Sequence, residues 1–434
     1  MSTRVWNPLA RKDRSGAQPR LNPDFWKFWT GQAISTLGTS FTVFALPLLV
    51  YKLTGSALNL GLTTAAEMLP YLFFGLIIGA WVDRLDRKRL MIVVDLLLGA
   101  TIATVPALYA LGHLSIWYIY AAGFVGSTLF IFFNSAEYAA IPSLVPTEML
   151  VQANGRIEAS YSAMQILGPL LAGALSAFVA LPDLLLIDAF SYLVSAGALL
   201  MVRTSFNQPA EEQKERTTVR QDIVEGLRYV LGHPVLRNIS LMMALVNFFA
   251  TTIGSTLIYF AKHQLHAPNS GIGILFSAGA AGTVVISLLA GPLRKRWSFS
   301  RVALTALAID GALTVVLAFT PWLVAALFVW ALMSGAGLLF NINTRSLRQA
   351  IVPNHLLGRV MSVAGVLAWS AIPLGALLGG IAIDRTGNVV LVYAVIGVIT
   401  CALPILFSFT ALGHADDYIP AQQPAPEEAE SLAG

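Results

Sequence analysis

Residues 57–89 read ALNLGLTTAAEMLPYLFFGLIIGAWVDRLDRKR. The stretch up to Val82 carries one acidic or basic side chain, Glu67, and the seven residues after it carry Arg84, Arg87, Lys88 and Arg89. A helix needs about 20 apolar residues to cross the hydrocarbon core of a bilayer. Lys and Arg clustered at one end of such a run hold that end in the cytoplasm. One apolar run followed by one basic gap therefore predicts a membrane span with a defined direction.

The pattern recurs along the whole chain. Apolar runs fall at 27–51, 57–82, 90–111, 115–140, 157–180, 183–202, 236–261, 271–292, 301–319, 322–346, 361–383 and 389–412. Of the 27 Lys and Arg residues, 24 lie before the first run or in alternate gaps and run ends, and only Lys52, Lys262 and Arg385 fall on the opposite side. That asymmetry places both termini and every basic gap in the cytoplasm, in a multi-pass protein of the cytoplasmic membrane. Composition agrees, with 56% hydrophobic and 12% charged residues and a mean hydropathy of +0.71, against roughly 25% charged in soluble domains. The net charge of +4 is spread over short loops, so it reads as orientation and not as a nucleic-acid surface.

The one long polar interruption, 203–235, divides the chain. The organisation expected is a cytoplasmic segment 1–26, six spans in 27–202, a linker 203–235, six spans in 236–412 and a disordered tail 413–434. Within the linker, Ile223, Leu227, Val230 and Leu231 recur at helical spacing among Asp222, Glu225 and Arg228, which predicts an interfacial helix. The two six-span parts echo each other. Val145-Pro146 and Gly155-Arg156 precede a span bearing Gly168, Pro169 and Gly173, as Val352-Pro353 and Gly358-Arg359 precede one bearing Pro373, Gly375, Gly379 and Gly380. The fold class is thus all-α integral membrane, twelve helices in two pseudo-symmetric bundles, and duplicated bundles suit alternating access about a central site.

The segment Gly79-Ala80-Trp81-Val82-Asp83-Arg84-Leu85-Asp86-Arg87-Lys88-Arg89 resembles the signature loop of the major facilitator superfamily, Gly-x-x-x-Asp-Arg/Lys-x-Gly-Arg-Arg/Lys. Asp86 departs from it, standing where the family has Gly, and the form found here is similar to the drug:proton antiporter branch that includes macrolide efflux and enterobactin export proteins. The stretch Val352 to Ser362 resembles the same branch, and Gly168-Pro169-Leu170-Leu171-Ala172-Gly173 resembles, incompletely, an exporter motif of that superfamily. The resemblance implies that Gly79, Asp83, Arg84, Arg87, Lys88, Arg89, Arg156, Gly358 and Arg359 serve the cytoplasmic gate. For the four basic residues of the loop, simple orientation is the competing reading. Asp83 would face the positive end of a helix of the other half, near Val360. Gly168, Pro169 and Gly173 could equally serve only close helix packing.

Carboxyls inside a span are costly as charges and invite a functional reading. Glu67 and Glu137 are the candidates for proton coupling, whereas Asp95, Asp188 and Asp310 fall on spans that are peripheral in the resembled fold and are read as structural. Polar and aromatic residues expected to face the cavity are Gln32, Thr36, Asn134, Gln165, Asn247, Asn341, Asn343 and Trp369. No phosphate-binding loop of the Gly-x-x-x-x-Gly-Lys-Ser/Thr type occurs, and His263 and His266 lack neighbouring acidic or thiol ligands. The expectation is a transporter and not an enzyme, without cofactor or metal, acting as a monomer with a small-molecule substrate, protons and the bilayer as its partners. It would be a proton-coupled exporter of amphipathic molecules such as drugs, macrolides or siderophores. The alternatives are a lysophospholipid flippase and a non-transporting sensor of the same fold.

Overall fold

The computed structural model describes residues 21–82, 84–207 and 219–419. All regular structure among them is helical: α1 (Pro23–Thr54), α2 (Ala57–Val82), α3 (Arg87–Ala110), α4 (Ile116–Leu144), α5 (Leu150–Leu175), α6 (Leu181–Met201), α7 (Val219–Gly232), α8 (Pro234–His263), α9 (Asn269–Arg296), α10 (Phe299–Phe319), α11 (Leu323–Ile351), α12 (Asn354–Trp369), α13 (Ala371–Thr386) and α14 (Val389–Ser408). Ten segments are long and apolar enough to cross a membrane, with α12 and α13 counted together as one. At 26 residues each, α2 and α5 have crossing length; α5 is the more polar, because Gln152, Asn154, Arg156 and Glu158 crowd its first turns.

Local chemistry sets the boundaries. Asp86, the departure from the signature loop, caps α3 by accepting from the Arg89 N–H at 3.0 Å, as Ser115 does for α4 and Asn388 for α14. Gly55 and Gly387 end α1 and α13 in the left-handed region, with φ of 63° and 61°, where a Cβ would be strained. The eleventh apolar run is one helix only in hydropathy. Pro373 has no N–H for the Trp369 carbonyl and its ring crowds that oxygen, so the chain breaks at Ser370 between α12 and α13.

Small residues bring the helices close. A Cβ on Gly31 or Gly38 of α1 would sit 2.6 Å from Ala198 and 2.1 Å from Ser191 of α6, and one on Gly311 of α10 would sit 2.5 Å from the Cys401 backbone of α14. The core has a telling layout. At the end of the molecule that carries Gly55 and Gly387, here the far end, one apolar cluster joins both parts of the chain through residues such as Phe44, Leu257, Ile272 and Tyr393. At the near end, where α1 starts, the clusters are separate: one runs from Phe25 to Phe206, and two others lie entirely between Val230 and Ala415.

One boundary differs from that read in the sequence. The stretch from Gly413, expected to be disordered, continues as a short 3-10 turn Ala415–Tyr418. It is held there because Asp416 accepts from the N–H groups of Phe299 at 2.8 Å and Ser300 at 3.1 Å, capping α10; residues 420–434 lie outside the described residues. The linker helix is α7, and it turns Gly226, Leu227 and Val230 inward while Ile223 and Leu231 stay exposed. It packs on α12, where a Cβ on Gly226 would meet the Arg359 carbonyl at 2.9 Å and Glu225 pairs with Arg359.

Candidate functional site

A cleft lies midway along the helices, between α1 and α5 on one side and α9 and α11 on the other. It encloses about 350 Å³, within the range of sites that hold drug-sized molecules. Thr36, Ser40 and Val43 of α1 and Tyr161 and Gln165 of α5 face Phe276 and Thr283 of α9 and Trp330 and Ser334 of α11. The wall is aromatic faces and hydroxyls, with no charged side chain. Such a surface accepts an apolar body against the rings and hydrogen-bonds a few polar groups at its edge.

Three glycine contacts shape this cleft. A Cβ on Gly279 would lie 2.4 Å from the Trp330 Nε1, so the indole occupies the space a side chain would take. On α5, Pro169 lines the cleft and leaves the Gln165 carbonyl without its helical donor. Gly168 is pressed on Ser40 of α1, and Gly173 on Gly273 of α9, where their Cβ atoms would come within 2.1 Å and 2.9 Å. The exporter-like motif thus forms the contact that joins α5 to both neighbours.

Of the polar residues expected to face the cavity, Thr36 and Gln165 do so. Gln32 instead is buried and donates to Ser195 Oγ at 3.0 Å, bracing α1 against α6. Asn247 donates to the Ala368 carbonyl at 2.9 Å, beside the α12–α13 break. Asn341 and Asn343 donate to carbonyls of their own helix, Gly337 and Leu339. Asn134 and Trp369 are exposed elsewhere. The residues missed, chiefly Tyr161, Phe276 and Trp330, sit in apolar runs where an aromatic reads as packing.

The carboxyls sort by their neighbours. Glu67 is half-buried on α2 with its Cγ 3.1 Å from the position of a Cβ on Gly123 of α4. Tyr71 stands one turn on from Glu67 along α2. Glu137 is half-buried on α4. Asp188 is fully buried and accepts from Thr39, Thr42 and Ser191. Asp95 is 1% exposed and neither of its oxygens accepts a hydrogen bond of ordinary geometry, the Ser195 hydroxyl being the polar group beside it.

At the near end, Arg87 donates to the carbonyls of Ala139 and Phe206, and Lys88 to that of Val202. Arg89 pairs with Asp86 at the surface, Arg84 is exposed, and Arg156 lies over the Trp26 ring at 5.0 Å. Gly358 is exposed in α12 and Gly79 is in α2; Asp83 lies outside the described residues.

This architecture has known relatives. Residues 15–433 match the family model described as transmembrane secretion effector. The chain belongs to that family of major facilitator transporters. It is similar to the multidrug efflux pump Tap of Mycolicibacterium fortuitum, with 29% identity over 81% of this chain and 87% of the relative. It is also similar to macrolide efflux protein A of Streptococcus pyogenes, with 25% identity over 84% and 90%. Among solved structures, an inward-facing, unoccupied bacterial homologue of the human lysosomal transporter Spinster superposes with a TM-score of 0.70 at 15% identity, covering 92% of this chain and 98% of that one. An inward-facing bacterial homologue of the iron transporter ferroportin gives 0.69 at 19% identity, covering 89% and 98%. These structures share the fold of this multi-pass membrane protein.

Proposed function

We propose that this protein is a secondary exporter of amphipathic small molecules, coupled to protons, that works by alternating access in the cytoplasmic membrane. The observation that carries the reading is the uncharged aromatic cleft at mid-depth, set between two parts of the chain whose cores fuse at the far end and separate at the near end. In this reading twelve spans form two six-helix bundles, with α2 and α5 crossing and α12–α13 crossing as one. Both termini are cytoplasmic, the protein acts as a monomer, and the conformation is inward-facing. The drug and macrolide efflux named for Tap and macrolide efflux protein A supports export of similar compounds.

Glu67, inside the apolar run of α2, is proposed to exchange the coupled proton, with Glu137 as the second candidate. Asp83, Gly79, Arg84, Arg87, Lys88 and Arg89 form the cytoplasmic gate with Arg156, Gly358 and Arg359. Asp83 reaches the first turns of α12 when the near end closes, whereas Glu225 of α7 meets Arg359 in the present state. The test is purified protein in proteoliposomes, supplied with macrolides, dyes and a labelled lysolipid, with and without an imposed pH gradient. Gradient-driven accumulation of drug supports the exporter. Gradient-independent movement of lysolipid alone would replace it by a flippase, and no flux of any compound through folded protein would replace it by a sensor.

A further inference from the structure

The first part of the near-end signature, Gly-x-x-x-Asp-Arg, recurs at the far end. Gly79-Ala80-Trp81-Val82-Asp83-Arg84 ends α2, and Gly380-Ile381-Ala382-Ile383-Asp384-Arg385 ends α13, so Gly-x-x-x-Asp-Arg occurs at one end of each of these two helices. The helices are partners. A Cβ on Gly61 of α2 would sit 2.2 Å from the Ala376 carbonyl of α13, and one on Gly380 would sit 2.8 Å from Leu58 Cα and 2.9 Å from the Ala57 carbonyl. Contact this close lets the carboxyl that follows Gly380 reach the start of α2.

It does reach it. Asp384 Oδ1 accepts from the Ala57 backbone N–H at 2.9 Å, and Oδ2 accepts from the Ser56 hydroxyl at 2.6 Å. Ser56 Oγ in turn accepts from the Asn59 N–H at 3.2 Å, so the first turn of α2 is capped jointly by its own serine and by a carboxylate from the other part of the chain. The free N–H groups of a helix start favour a negative charge at that point. Both bonds are charge-assisted, and water weakens them because Asp384 is exposed.

We propose that Asp384 is a gate residue of the far end: it holds α13 to the start of α2 while the near end is open, and it must be released before the far end opens. The assignment rests on the alternating-access reading and the cytoplasmic termini proposed above, which make the far end the outer face. The two Gly-x-x-x-Asp-Arg sequences then serve opposite ends of the same helix pair in opposite states. A capping carboxylate favours the conformation in which it caps, so removing it shifts the population toward the other one.

The experiment places a single cysteine in the cleft, Ser334→Cys in a Cys401→Ser background, and measures its reaction with an impermeant maleimide in right-side-out and inside-out vesicles. Asp384→Ala is expected to raise the outer-side rate about two- to fivefold, the range for a surface charge at a helix start, and to lower the inner-side rate. Ser56→Ala, which removes one of the two bonds, gives a smaller change in the same direction. Asp384→Asn, which keeps the side-chain volume, guards against loss of fold. Unchanged rates on both faces in folded Ala and Asn variants overturn the assignment. If the parent reacts only from outside, the proposed orientation falls instead, and the gate stands only if Asp384→Ala moves reactivity to the inner face.

Discussion

Gly279 is glycine because Trp330 occupies the place of its Cβ. Gly279→Ala must displace an indole that lines the cleft, at about 1–3 kcal/mol of overpacking. It is expected to leave the protein inserted and to weaken binding of a bulky substrate by roughly tenfold, while a small one is less affected; equal affinities for both in the variant would show that Trp330 does not shape the site. Glu67→Gln keeps shape and hydrogen bonding but cannot ionise. Accumulation driven by a pH gradient should be lost, and downhill flux should survive. Full gradient-driven accumulation in the variant would pass the role to Glu137. At this scale the sequence was only partly informative. Glu67 could be singled out by its place within an apolar run, but Gln32, Asn247, Asn341 and Asn343 could not be told from cleft residues, because an amide that braces two helices and one that meets a ligand have the same chemistry until their partners are known.

Among the elements, the junction of α7 and α8 carries a titrating cap. His233 caps α8 with Nδ1 facing the Leu236 N–H at 3.5 Å, between the rings of Tyr229 and Tyr418, and burial holds its pKa below the ordinary imidazole value. Protonation removes the acceptor and sets a positive charge at the positive end of a helix. The neutral ring's contribution is therefore complete above about pH 6.5 and is lost as the pH falls through the lower folded-state value. Thermal unfolding in detergent should show a decline on the acid side that His233→Asn, a capping residue that does not titrate, flattens; identical pH profiles would remove His233 from the account. The elements themselves were readable in part: each apolar run overlaps a helix, but the fifth and eleventh start seven residues late, at 157 against Leu150 and at 361 against Asn354, and Pro373 explains why the eleventh is two. The order of residues 413–419 was not, since it depends on Asp416 reaching the start of α10, a partner more than a hundred positions away.

For the whole molecule the decisive expectation is direction. With α10 spanning 21 residues, about 31 Å at 1.5 Å per residue, Arg301→Cys and Trp322→Cys in the Cys401→Ser background should react with an impermeant reagent from opposite faces, Arg301→Cys from the cytoplasm and Trp322→Cys from outside. Reversal of the two would overturn the charge-based topology. Sequence alone determined that this chain is a helical membrane protein, because apolar length is a local quantity that a bilayer reads directly, and the motif from Gly79 to Arg89 pointed to its superfamily. The tertiary structure decided which helices meet, that one apolar cluster joins both parts of the chain at the far end while the near-end clusters stay apart, that the cleft falls between α1, α5, α9 and α11, and that Asp384 caps α2. Those outcomes depend on glycines and carboxylates finding partners far along the chain, and no local pattern specifies a partner.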